Sequence, residues 1–179
     1  SLQGPLYDYD YLASKIRIVD GIADVAPIIE SQTLLTKSGA SMGVMVRAMD
    51  VKDFENRPIL RDSIIGGKIE DFTGNNILIG KELAQKMHVR PGDTVVLTSP
   101  QVKSTPFGSM PRQRSYTVAA IFDVDMYEYN LGFIFMPLDT AQVLFQMPGA
   151  VSSLEVMLAN PDRLEDVRAA VSVAMEGQA

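Results

Sequence analysis

The 179 residues are 46% hydrophobic and 21% charged, which is enough apolar material for one domain or two small ones and argues against intrinsic disorder. A net charge of −6 disfavours a general nucleic-acid binder, which needs a concentrated basic surface, and the absence of cysteine excludes disulfides and thiolate metal sites. The longest uncharged run, residues 140–154, contains Gln142, Gln146, Pro148 and Gly149 and falls short of the ~20 apolar residues of a membrane helix.

Asp8 is placed to cap a helix running to about Val19, with Tyr9, Leu12, Ile16 and Val19 on one face and Gly21 ending it. Residues 23–35 read as a long strand. Lys37, Ser38, Gly39 and Ala40 form a turn, after which Met42, Val44, Val46 and Ala48 alternate as a second strand and complete a hairpin. Residues 50–73 carry a weaker pattern, with short helical pieces at 51–55 and 59–65 broken by Pro58 and Gly66-Gly67.

Residues 76–79 read as a strand, 81–88 as a short helix carrying Leu83 and Met87, and 94–98 as a strand entered through Pro91-Gly92-Asp93. Tyr116, Val118, Ala120 and Phe122 alternate as another strand, and the apolar run 133–136 predicts a buried one. Pro137 and Asp139 suit the first turn of a helix to about Gln146. Leu154, Val156 and Leu158 alternate as the last strand. Pro161 then opens a helix with a stripe of Leu164, Val167, Val171 and Ala174.

This order predicts an α+β fold in which helices cover one face of a mixed sheet. Residues 1–50 and 116–179 form the main, discontinuous subdomain, and residues 51–115 form a smaller strand-rich insertion. Beginning at Ser1 with no charged and apolar leader, the chain reads as an excised piece or a processed product.

The catalytic inventory is thin. His88 is the only histidine and falls at the end of a short helix, where a surface position suits it. Asp123, Asp125 and Glu128 are the densest acidic group, but they lack calcium-loop spacing. Gly66-Gly67-Lys68 lacks the preceding glycine of a phosphate loop, and Gly108-Ser109 lacks the frame of a nucleophile elbow. The sequence therefore predicts no enzyme, no catalytic residue, no metal and no cofactor. A hydrolase of cell-envelope material using Asp123, Asp125 or His88 is the alternative from a different class.

Residues 99–115, SPQVKSTPFGSMPRQRS, are expected to form a long loop between two strands. No acidic residue occurs from Thr94 through Phe122, while Lys103, Arg112 and Arg114 do; that stretch carries +3 and the remainder −9. Pro106 and Pro111 restrict the unfolded ensemble and favour a preformed loop. Phe107 and Met110 are then either anchors for a partner, each contributing roughly 1.5–3 kcal/mol when buried, or packing against their own domain.

The segments PGDTVVLTSP, STPFGSMPRQRSYTVAAIFDVDMYEYNLGFIFMPL and VSSLEVMLANPDRLEDV, with the opening LYDYDYLASKIRIVDGIADVAPIIESQTLL, resemble a known family. It comprises the periplasmic domains of the LolC/LolE/LolF membrane subunits of the bacterial lipoprotein-releasing ABC transporter. The pattern is shared more loosely with MacB-type and other FtsX-like permeases. The resemblance covers nearly the whole chain, and its most specific part is the hairpin T-P-x-G-x-x-P-x-Q-R.

The resemblance implies a domain in the periplasm, with a Porter-like subdomain interrupted by a Sabre-like one. It further implies that Thr105, Pro106, Phe107, Gly108, Ser109, Met110 and Pro111 form a hook for the lipoprotein carrier LolA, with Gln113 and Arg114 on a polar pad behind it. Phe107 stands where relatives carry methionine, and Val95 and Val96 occupy the region of an expected basic pad residue. A hook points to the LolC type or the hybrid LolF type. Implied partners are LolA, a LolD-type ATPase, a second membrane subunit and the lipoprotein substrate. The alternative is a MacB-like or FtsX-like permease domain that docks an adaptor in an efflux or toxin-export system.

Overall fold

The computed structural model describes residues 4–105 and 108–175, and their side chains except at 101–105 and 108–110. Its contacts divide the chain into two compact units. One consists of residues up to Ile28 together with Gly149 onward, the other of Ile29–Pro148. The sequence reading had set its divisions at 50/51 and 115/116. The contact-based bounds fall elsewhere because residues of the expected insertion pair with the expected main subdomain, 78–79 with 134–135 and 96–98 with 34–36.

In the first unit, helix α1 (Tyr9–Arg17) buries Ala13 and Ile16. The start of β1 (Ile22–Lys37) pairs antiparallel with β8 (Ser153–Leu158) from Ile22↔Leu158 to Ile28↔Ser153. Ala13, Ile16 and Val25 form a small core, packed with Ile22, Leu154, Val156 and Val171. Helix α7 (Leu164–Met175) buries Val167, whereas Leu164 at the head of the expected stripe is 55% exposed. Asp8 does not cap α1 with its side chain: its backbone is left-handed (φ 53) where a capping residue is ordinarily extended, and its side chain makes no capping hydrogen bond.

In the second unit the sheet closes on itself. The remainder of β1 pairs antiparallel with β2 (Ala40–Met49), and β2 runs parallel to β7 (Phe133–Pro137). Strand β7 pairs antiparallel with β4 (Asn76–Gly80), which is parallel to β6 (Gly108–Phe122). Strand β6 pairs with β5 (Thr94–Thr105), and β5 returns to β1 through Leu34↔Thr98, Leu35↔Leu97 and Thr36↔Val96. The result is a mixed α+β fold built on a barrel-like closed sheet, where the sequence had suggested a sheet covered on one face. Closure removes two exposed edges.

The β1–β2 turn is as expected. Ser38 and Gly39 both have positive φ, 50° and 84°, as the two-residue type I′ connection requires. The weak-pattern region contains α2 (Val51–Glu55), α3 (Pro58–Arg61) and a strand the sequence reading assigned partly to a helix, β3 (Ile64–Gly67), paired to the end of β6. Helices α4 (Lys81–Lys86), α5 (Tyr127–Gly132) and α6 (Leu138–Leu144) complete the unit. Its core centres on Phe54, Phe72, Phe122 and Phe135, all fully buried, with edge-to-face ring contacts at 5.0–5.3 Å. Such pairs contribute about 0.5–1.5 kcal/mol each beyond area burial.

Candidate functional site

The region expected to be a loop is largely strand. Residues 99–105 belong to β5 and 108–115 to β6, paired as Ser99↔Arg112, Val102↔Pro111, Lys103↔Met110, Ser104↔Ser109 and Thr105↔Gly108. The register shifts between Ser99 and Val102, so Pro100 and Gln101 occupy a bulge. Prolines are tolerated at bulges and edges, where the missing N–H costs no ladder bond. They also hide the period-2 pattern, which is why the sequence suggested a loop. Among the described pairings, β5 touches β1 no further than Thr98 and β6 touches β4 only from Thr117 onward. Beyond Ser99 the two strands therefore continue as a two-stranded ribbon.

The ribbon carries the residues of the expected hook. Thr105, Gly108, Ser109, Met110 and Pro111 lie on its strands, and Pro106 and Phe107, which join them, fall outside the described residues. Gln113 and Arg114 are both exposed, paired with Thr98 and Leu97. Because they are adjacent in a strand, their side chains leave opposite faces.

At the ribbon's root lies a predominantly apolar groove of 560 Å³, lined by Leu34, Val44, Met45, Pro100 and Pro111, with Gly43 in its wall. Leu34 is 42% exposed, and its cross-strand partner is Gly43, which has no side chain to cover it. Thr33 Oγ1 donates to the Thr98 carbonyl at 2.7 Å and fixes the β1–β5 junction beneath the groove. Sequence reasoning missed this feature because it exists only where β1, β2 and β5 meet.

The other residues considered for chemistry are engaged structurally. Asp123 Oδ2 accepts from Lys81 Nζ at 2.8 Å, and its Oδ1 accepts from Asn130 Nδ2 at 2.7 Å and from the Asp125 amide at 3.0 Å. These bonds, the Lys81 contact first, hold the Asp123 carboxyl below its ordinary pKa. Asn130 is 1% exposed and also accepts from the Val124 amide. Among the described residues no three His, Asp or Glu side chains gather to hold a metal. His88 is exposed just past α4 with a left-handed backbone (φ 52), and Gly66-Gly67 lies in β3.

No helix of the described residues is long and apolar enough to cross a membrane. The chain is 29% identical to the lipoprotein-releasing system transmembrane protein LolC of Xylella fastidiosa over 180 residues, covering 99% of this chain and 43% of that protein. It is 29% identical to the LolC of Neisseria meningitidis over 145 residues, covering 79% and 34%. The chain therefore spans less than half the length of these relatives. Its fold is that of the extracellular domain of the noncanonic ABC-type transporter YknZ from Gram-positive bacteria (TM-score 0.65, 12% identity, 97% and 83% covered). It is equally that of the periplasmic region of MacB from Actinobacillus actinomycetemcomitans (TM-score 0.63, 13% identity, 98% and 77% covered). With the family described as MacB-like periplasmic core domain matching residues 2–174, the chain belongs to that family.

Proposed function

We propose that the chain is the periplasmic domain of an inner-membrane ABC transporter subunit of LolC or hybrid LolF type. In this reading it recruits the carrier LolA through Thr105 to Pro111 and helps to transfer outer-membrane lipoproteins to it. The observation that carries the reading is the two-stranded ribbon beyond Ser99, on whose strands Thr105 and residues 108–111 lie. The relation to LolC proteins across 99% of the chain supports it. The domain itself is non-catalytic, and ATP hydrolysis belongs to a separate LolD-type subunit. Residues 99–115 then form the arm of the strand-rich, Sabre-like part at 51–115, and residues 1–50 and 116–179 are Porter-like. Gln113 and Arg114 contribute polar contacts from the two faces of β6, and the apolar groove adjoins them.

Calorimetric titration with the LolA-type carrier of the same organism tests this. The parent domain should bind, and Phe107→Ala/Met110→Ala should weaken binding by at least about tenfold, as expected for removing two apolar anchors, with an unchanged circular dichroism spectrum. Unchanged affinity in the folded double variant would sink the hook.

A second reading is favoured by the fold likeness to MacB and YknZ. In it the domain belongs to a MacB-like permease and docks an adaptor in an efflux or toxin-export system. A parent domain that ignores the carrier would support it.

A further inference from the structure

Beyond Tyr116, the face of β6 that packs into the barrel unit continues outward as Arg114 and then Arg112, two residues apart each time and therefore on the same side. Tyr116 is 2% exposed, yet its hydroxyl makes no hydrogen bond among the described residues. A buried hydroxyl without a partner is costly and calls for an explanation. Beside it opens a cleft of 310 Å³ lined by Arg114, Tyr116, Gly74, Asn75, Asp139 and Thr140. Arg114 pairs with no carboxylate among the described residues, so its guanidinium is available to the cleft.

Part of the remaining lining is engaged within the protein. Asp139 Oδ1 accepts from the Thr140 amide at 2.7 Å, and Thr140 Oγ1 donates to the Gly74 carbonyl at 2.7 Å. The donors along the cleft are the planar fork of Arg114 and the buried, unpartnered O–H of Tyr116, while Asp139 keeps its second carboxylate oxygen in the lining. Burial pushes the Tyr116 hydroxyl pKa up, with Arg114 and Arg112 pulling it back, so the phenol stays protonated and can donate.

We propose that this cleft is a carboxylate site in which the Arg114 guanidinium and the Tyr116 hydroxyl together hold one carboxylate group. A guanidinium fork matches a carboxylate in two parallel hydrogen bonds, and the phenol supplies a third. Asp139 in the wall disfavours a phosphate dianion relative to a carboxylate monoanion. The small volume suits a short acid or a single acidic side chain. The inference shares Arg114 with the carrier reading but does not rest on it.

The test is a two-dimensional amide NMR titration of the domain with acetate, with inorganic phosphate, and with a blocked tripeptide containing a central glutamate. Acetate is expected to shift amides around residues 74–75, 114–116 and 139–140 saturably, and phosphate to act more weakly. Arg114→Ala should abolish the effect, and Tyr116→Phe, which keeps the ring, should weaken it by about tenfold, the loss of one charge-assisted hydrogen bond. A tripeptide that binds tighter than acetate identifies an acidic side chain of a protein partner as the occupant, and equal affinity identifies a free acid. The absence of saturable shifts, phosphate binding as well as acetate, or an unaffected Tyr116→Phe variant each overturns the proposal. Phe107→Ala/Met110→Ala should leave acetate binding intact, so failure of the carrier reading and failure of this one are told apart.

Discussion

Gly80 shows how much one hydrogen atom in place of a methyl can decide. A Cβ built there would stand 2.0 Å from the backbone oxygen of Asn130 and 2.6 Å from its carbonyl carbon, and backbone cannot swing away as a flexible side chain would. Gly80→Ala is therefore expected to destabilise the domain by about 3 kcal/mol or more, read as a lowered midpoint in urea unfolding. Gly43 provides the contrast, because a Cβ there meets nothing within 4 Å. Gly43→Ala should leave the midpoint near that of the parent; a similar loss at both positions would refute the close-approach argument. The sequence shows two glycines in apolar strands, Leu-Ile-Gly and Met-Gly-Val, and nothing local separates them. The difference lies in Asn130, fifty positions from Gly80 in the chain.

At the scale of elements, Asp123 ties α4, the end of β6 and α5 together through Lys81 and Asn130. Its carboxyl pKa is lower folded than unfolded, so the group contributes stability that is fully present above the ordinary carboxylate range. That contribution is lost as pH falls through the folded value. Asp123→Asn should lower stability at neutral pH and flatten the acid side of the stability profile below pH ~4, measured by urea unfolding across pH. An unchanged acid limb would show that the contacts of the Asp123 carboxylate with Lys81, Asn130 and the Asp125 amide together add no stability in solution. Sequence reasoning saw the acidic group of Asp123, Asp125 and Glu128 but not its partners, which come from other elements. The ribbon is a parallel case: its lack of acidic residues and its prolines were legible, whereas its strand character depended on the pairing of residues 99–105 with 108–115, which no single-strand pattern revealed.

At the scale of the whole molecule, the aromatic core of the barrel unit joins parts of the chain that are remote in sequence. Phe135 on β7 meets Phe54 from α2 at 5.1 Å and Phe122 from β6 at 5.0 Å. Phe135→Ala should cost about 3–5 kcal/mol in thermal or urea unfolding, because it empties the centre that these rings share. A loss below about 1 kcal/mol would place the core elsewhere. The sequence by itself determined most element types outside residues 59–67, 99–115 and 127–132, the β1–β2 hairpin with its Ser38-Gly39 turn, the burial of residues 133–136 and the α+β class. These follow from period-2 and 3.6-residue patterns and from turn chemistry, which act over a few residues. Only the tertiary structure decided the closure of the sheet, the parallel β2–β7 and β4–β6 ladders, the division at Ile28/Ile29 and the cleft at Tyr116. Alternation fixes which face of a strand is buried but carries no information on which strand lies beside it, and that choice is made by packing among residues that can lie more than a hundred positions apart, as Ile22 and Leu158 do.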